Sequence, residues 1–157
     1  MAIPLDSTDL RLLELLQDDA SLSNQELAAR AHVSPATSLR RVKRLLDEGV
    51  IERRIAIVSP EKTAMGLTAI VEITLEHQGA EHQAAFERRV ASEVAVQQCY
   101  RVSPGPDFVL VTLVPDMAAY HALAHRLFTA EANVRNVRSF FAIHRSKFEP
   151  KLPFARL

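Results

Sequence analysis

Between residues 30 and 54 the chain places seven basic side chains against three acidic ones, Asp47, Glu48 and Glu52. Four of the seven, Arg40, Arg41, Lys43 and Arg44, fall within five positions. The chemistry open to such a group is anion recognition. Guanidinium groups pair with phosphate oxygens and with the O6/N7 edge of guanine. The cluster is visible only by segment, because the 157 residues balance 19 Lys+Arg against 19 Asp+Glu. Residues 1–29 hold one basic and six acidic side chains, and residues 55–157 hold eleven and ten. A solvated helix face would give the same local charge, so the elements that carry the arginines must decide.

Other chemistry is sparse. His121 and His125 stand four apart at helical spacing, but zinc takes three or four ligands and no Cys or carboxylate is spaced beside them. No metal and no cofactor is expected. The single cysteine excludes a disulfide framework, and Cys99 lies in a strand pattern that reads as a buried structural thiol. Neither a Gly-rich phosphate loop nor Gly-x-Ser-x-Gly occurs. No apolar run approaches the roughly 18 residues of a membrane span, and the first six residues carry no secretory pattern. The expectation is a cytoplasmic protein with no membrane partner that is not an enzyme.

Three helices in the first third must position the arginines. Residues 8–18 carry a stripe of Leu10, Leu13 and Leu16, with Leu12 and Leu15 beside it. A second helix opens at Ser23, where Glu26 completes a Ser-x-x-Glu capping box, and buries Leu27, Ala28 and Ala31. The third opens at Ser34 with Pro35 at its first position, and Gly49 is placed to end it. Only His32 and Val33 separate the second helix from the third's cap, which is the spacing of a helix-turn-helix. His32 takes a turn position that favours Gly, and His tolerates positive φ better than most residues.

At 100° per residue, Leu39, Val42 and Leu46 fall on one side of the third helix, with Leu45 flanking them and Ser38 towards the core flank. Thr37, Arg40, Arg41 and Arg44 fall opposite. This arrangement suits a helix lying in the major groove of double-stranded DNA. Ala36, Thr37, Arg40 and Arg41 are the candidates for base edges. Ser34 and the helix N-terminus can hold a phosphate, and Arg44, Arg53 and Arg54 are placed for phosphates as well. Residues 50–58 are rich in β-branched side chains and read as a strand or wing leaving this unit.

After a break at 59–62 the pattern changes. Alternation over 67–75 reads as a half-buried strand, followed by a helix near 81–91 and a strand near 94–102. A Pro/Gly turn at 103–107 leads to an apolar strand at 108–114, a helix capped by Asp116, and a last strand at 136–143. The fold class is therefore α+β. An N-terminal helix-turn-helix, winged-helix-like domain with its linker strand (1–58) joins a βαββαβ ferredoxin-like domain (59–157). Helices on one face of the sheet leave the other to solvent or a partner, which predicts oligomerisation.

The stretches LDSTDLRLLELLQDDA, SNQELAARAHVSPATSLRRVKRLLDEGVIERR, VEITLE, VPDMAAYHAL and SKFEPKLP resemble, in order and spacing, the Lrp/AsnC (feast/famine) transcriptional regulators over nearly the whole chain. The resemblance implies sequence-specific DNA binding by the first domain. It further implies a second domain that binds a small effector, commonly an amino acid, and assembles homodimers into tetramers or octamers. Such proteins usually carry a Gly-Asp-(Tyr/Phe)-Asp-like turn near the effector. Here Ser103-Pro104-Gly105-Pro106-Asp107 occupies that place, with Asp107 matching the last Asp. The effector candidates are therefore Ser103, Gly105 and Asp107, joined by Ser139 on the last strand. Two prolines stiffen the turn and remove N–H donors, so the ligand can differ from the usual amino acid. The alternative is an enzyme resembling the sirohaem decarboxylases, which share the two-domain plan with a degenerate helix-turn-helix.

Overall fold

The structure, a computed structural model, describes residues 3–130 and 133–154. The outermost residues of both expected domains, 1–2 and 155–157, lie outside this description. Two compact units emerge, residues 1–57 together with 147–157, and residues 58–146. The first unit thus takes in the C-terminal tail, which the sequence reading assigned to the second domain.

The tail is held by specific bonds. The Gln17 amide donates to the Leu152 carbonyl at 3.2 Å, and its oxygen accepts from the Leu152 N–H at 2.7 Å. Lys151 pairs with Asp18. No periodicity reveals such a return, because two hydrogen bonds and one ion pair across more than a hundred residues leave no local pattern.

The first unit packs α1 (Ser7–Asp18), α2 (Asn24–Ala31) and α3 (Pro35–Asp47) around Leu12, Leu27, Ala31 and Val42. Each helix starts on a side-chain cap. Asp6 and Asp9 form a capping box for α1, Ser23 and Glu26 one for α2, and Ser34 accepts from the Thr37 N–H on α3. Such caps satisfy N–H groups that a helix cannot pair internally. His32 ends α2 at φ 57, ψ 44, and Gly49 follows α3 at φ 71. Residues 52–58 belong to no β-ladder among the described residues, so the expected strand at 50–58 is not formed in one chain. β-branched composition favours extended backbone, but a ladder needs a neighbouring edge.

The second unit is a four-stranded antiparallel sheet, ordered β2-β3-β1-β4, from β1 (Leu67–Leu75), β2 (Val96–Arg101), β3 (Phe108–Val114) and β4 (Val134–Phe141). Strand alternation sends Ala69, Val71, Ile73, Leu75, Phe108 and Leu110 to one face. There α4 (Ala80–Ala91) and α5 (Met117–Ala124) bring Phe86, Val90, Tyr120 and Leu123. Phe86 stacks on Phe108 with ring centroids 4.7 Å apart. The turn after α5, His125–Thr129, widens to a π-helix and adds Leu127 and Phe128 to the core. The expected βαββαβ order is present, with strand ends shifted by about two residues.

Among the described residues the other face is only partly covered, with Thr68, Glu72, Val109 and Val111 half-buried. Val111, Ile70 and Phe140 are cross-strand partners in one row, and Ile70 and Phe140 are both exposed. Cys99 is exposed rather than buried as expected. It lies on β2, an edge strand, where strand alternation alone does not guarantee cover.

Candidate nucleic-acid interface

The helix-turn-helix is tied together by polar contacts as well as by its small core. The Asn24 amide donates to the Pro35 carbonyl at 2.9 Å, joining the starts of α2 and α3. Arg11 donates to the Ala31 carbonyl at 3.0 Å, joining α1 to the end of α2. These bonds fix the angle at which α3 is offered to solvent.

The rotation of α3 about its axis differs from the sequence expectation. Its buried residues are Ser38, Val42 and Leu45, while Leu39 is 62% exposed and Leu46 also reaches solvent. The buried face therefore lies roughly 65° from the Leu39/Val42/Leu46 direction, at 100° per residue. Counting leucines placed the face wrongly because the α1 side of the interface is polar. Asp9 is 1% exposed, and its carboxylate accepts from Arg41 at 2.9 Å and from Arg44 at 2.6 Å. Asp6 takes a second hydrogen bond from Arg41 at 2.7 Å. A hydropathy pattern cannot foresee that two arginines turn inward to meet a buried acid.

The candidate residues therefore separate. Ala36, Arg40 and Lys43, the last outside the sequence candidates, lie on the exposed face, with Thr37 half-buried beside them. Arg41 and Arg44 do not join that face, since their guanidiniums are committed to α1. The signal for Lys43 was its place between Arg40 and Asp47 at helical spacing, which the leucine count hid. Ser34 caps α3 and donates its hydroxyl to Thr37 Oγ1 at 2.9 Å. Pro35 has no N–H and the cap uses that of Thr37, so the Ala36 N–H has no partner at this helix end among the described residues. Arg53 and Arg54 are exposed on the extended segment that follows α3.

Charge in this unit is shaped by the caps. The Asp6 carboxyl is held below its ordinary value by the Asp9 N–H and then by Arg41. Ser23 does the same for Glu26, and Ser21 for Asp19. Arg41 is pushed up by Asp6 and Asp9, so it stays charged throughout the accessible range.

In the second unit three of the expected effector residues, Ser103, Gly105 and Asp107, share the turn between β2 and β3, and Ser139 stands apart. Ser103 and Gly105 are exposed in the turn, and Gly105 adopts φ 124, a conformation that favours glycine. Asp107 Oδ2 accepts from the Leu75 backbone N–H at 2.7 Å and from the Gln78 side-chain amide at 3.2 Å. Asp107 thus ties the start of β3 to the end of β1. Ser139 pairs in register with Val71 and hydrogen-bonds Tyr120 on the helix-covered face, away from the turn. Residue type and order had grouped it with the turn, but strand register separates them. Among the described residues no group of three or more His, Cys, Asp or Glu could hold a metal ion. No helix there is long and apolar enough to cross a membrane.

Comparison with known proteins matches both units. The family profile described as Lrp/AsnC ligand binding domain covers residues 68–152, and that described as winged helix-turn-helix DNA-binding covers residues 5–52. The chain is 34% identical to the DNA-binding transcriptional activator DecR of Escherichia coli, over 95% of this chain and 98% of that one. Its fold is similar to the crystal structure of an AsnC family transcriptional regulator from Agrobacterium tumefaciens, with TM-score 0.88, 33% identity, and 95% and 97% of the two chains covered. It is also similar to a transcriptional regulator of Neisseria meningitidis in complex with L-Met, with TM-score 0.84, 30% identity, and 96% and 97% covered.

Proposed function

The chain belongs to the Lrp/AsnC family of DNA-binding transcriptional regulators, and from that premise we propose how it reads DNA, what modulates it and how it assembles. Helix α3 enters the major groove with Ala36, Thr37 and Arg40 against base edges, and Lys43 extends the same face. The observation that carries this reading is that Arg40 and Lys43 stand outward beside each other with no ion-pair partner among the described residues. Ser34 and the Ala36 N–H face a phosphate, while Arg53 and Arg54 neutralise others without reading sequence. The test is selection of bound duplexes from a random pool by the full chain. A shared sequence should emerge and be lost on Arg40→Ala; selection without enrichment overturns the reading. The relatives are named as regulators, so the decarboxylase alternative is set aside.

The second unit binds a small effector, with an amino acid the leading class. The match to a ligand-binding domain and the L-Met complex of the Neisseria relative support this. The Leu75 N–H and the Gln78 side-chain amide both donate to Asp107 Oδ2, so Ser103, the Gly105 backbone and Asp107 Oδ1 are the turn's contacts for a ligand. Titrating the standard amino acids against DNA affinity tests the assignment; no shift with any of them removes it.

Assembly uses the partly covered sheet face. Ile70, Val111 and Phe140 form an apolar row that a second copy would cover, giving a homodimer able to build tetramers or octamers. Sedimentation of Ile70→Asp should show smaller particles than wild type, and an unchanged distribution refutes this interface. Such a regulator works where the DNA is, in the cytoplasm.

A further inference from the structure

Two of the four basic residues clustered on α3 point outward and two are held back, and one side chain does most of the holding. Asp9 is 1% exposed, and both of its oxygens are occupied. The Asp6 N–H donates to Oδ2 at 3.2 Å, Arg44 Nη2 to the same oxygen at 2.6 Å, and Arg41 Nη1 to Oδ1 at 2.9 Å. Asp6 and Glu48 contribute further contacts to Arg41 and Arg44, at 2.7 and 3.7 Å. The Nε atoms of both arginines are buried without a hydrogen bond among the described residues, while the side chains as a whole stay 21% and 37% exposed. Three carboxylates thus surround two arginines on the flank of the proposed reading face.

We propose that Asp9 is a positioning and specificity-determining residue, which fixes the rotation of α3 and withholds Arg41 and Arg44 from DNA so that Arg40 and Lys43 read it. This inference rests on the assignment of α3 as the DNA-contacting helix. Its physical basis is the split between two kinds of contact. Phosphate attraction strengthens binding to every sequence alike, whereas base contacts distinguish one from another. Two more free guanidiniums beside the groove would raise affinity for all DNA and erode discrimination. Asp9 prevents this while its third bond, to the Asp6 N–H, closes the cap of α1. One carboxylate therefore links the start of α1 to the azimuth of α3.

The test uses the full-length protein and two duplexes, one enriched from a random pool by the wild type and one a scramble of it. Asp9→Asn keeps the shape and can still accept the Asp6 N–H. Its affinity for the scramble should rise, and the slope of log affinity against log salt should steepen by about 1 to 2, at roughly 0.9 per phosphate gained. Discrimination between the duplexes should fall by about tenfold. Adding Arg41→Gln and Arg44→Gln to Asp9→Asn should restore the wild-type slope. Loss of packing alone would not produce that rescue. Should Asp9→Asn not fold, Asp6→Asn removes one carboxylate from Arg41 while keeping a good N-cap, and should steepen the slope by a smaller amount. A folded Asp9→Asn, or failing that Asp6→Asn, with wild-type slope and discrimination overturns the proposal. So does the Arg41→Gln/Arg44→Gln pair if, with Asp9 intact, it weakens scramble binding. Arg40→Ala runs alongside: undiminished affinity for the enriched duplex overturns the assignment of α3 itself, whatever Asp9 does.

Discussion

The two units of this protein are held together by different means. The second rests on a sheet-and-helix core in which Val71, Ile73, Phe108 and Leu110 are fully buried and aromatic rings stack. The first has a small core of Leu12, Leu27, Ala31 and Val42, supplemented by caps, a buried carboxylate and backbone-directed arginine and asparagine bonds. Apolar burial is nondirectional and tolerates small shifts, whereas hydrogen bonds fix angles. A helix that must present a few side chains in register is better served by the second kind of constraint. The sheet unit instead buries one face of its strands against two helices.

This contrast can be attacked at its strongest point first. Phe108→Ala should cost about 3–5 kcal/mol, by removing buried apolar area and the ring stack with Phe86, in urea unfolding followed by far-UV circular dichroism. A loss below about 1 kcal/mol would mean that this core is not what holds the sheet unit. Next, Arg40→Ala should weaken binding to a selected duplex by about 1–3 kcal/mol and relax its preference, measured by fluorescence anisotropy, with no change in thermal stability. Ser23→Ala removes one side of the α2 capping box and should destabilise the first unit by about 1 kcal/mol. An unchanged melting curve would show that packing, not capping, starts that helix.

The smallest effect concerns acid. Asp6, Asp19 and Glu26 have folded values below their ordinary 3.8, 3.8 and 4.5, chiefly through hydrogen bonds from Asp9, Ser21 and Ser23 respectively. Their stabilising contribution is complete above the ordinary values and is lost as pH falls through the lowered ones. The first unit should therefore soften below about pH 4.5, and replacing Asp6 by Asn should flatten that dependence. Hydrogen exchange of the α1 and α2 amides against pH measures it; acid lability confined to the sheet unit would contradict the picture.

Much of the molecule was legible in the sequence because its signals are local. Capping boxes act within four residues, so Ser23/Glu26 and Ser34/Pro35 marked the starts of α2 and α3 correctly. Strand alternation marked β1 over its full length, and the Pro/Gly turn at 103–107 separated β2 from β3. The turn at His32 was also readable, since the left-handed conformation it adopts is one that His accepts.

What failed involved contacts between distant residues. The segment 50–58 has strand composition but no ladder, because pairing depends on an available edge rather than on the segment itself. Ser139 and Asp107 were grouped by order along the chain, yet register gives one to Tyr120 and the other to the backbone of β1. The face of α3 was misread because leucine counting takes apolar surface as the only reason to turn inward.

The sequence by itself therefore determined which segment is basic, where its helices begin and end, and which family the order of motifs resembles. Only the tertiary structure decided which of the clustered arginines face outward. That choice depends on Asp9, 32 residues from Arg41 in the chain. A buried charge is tolerable only where its partners converge in space, and no periodicity along α3 records where another helix has placed a carboxylate.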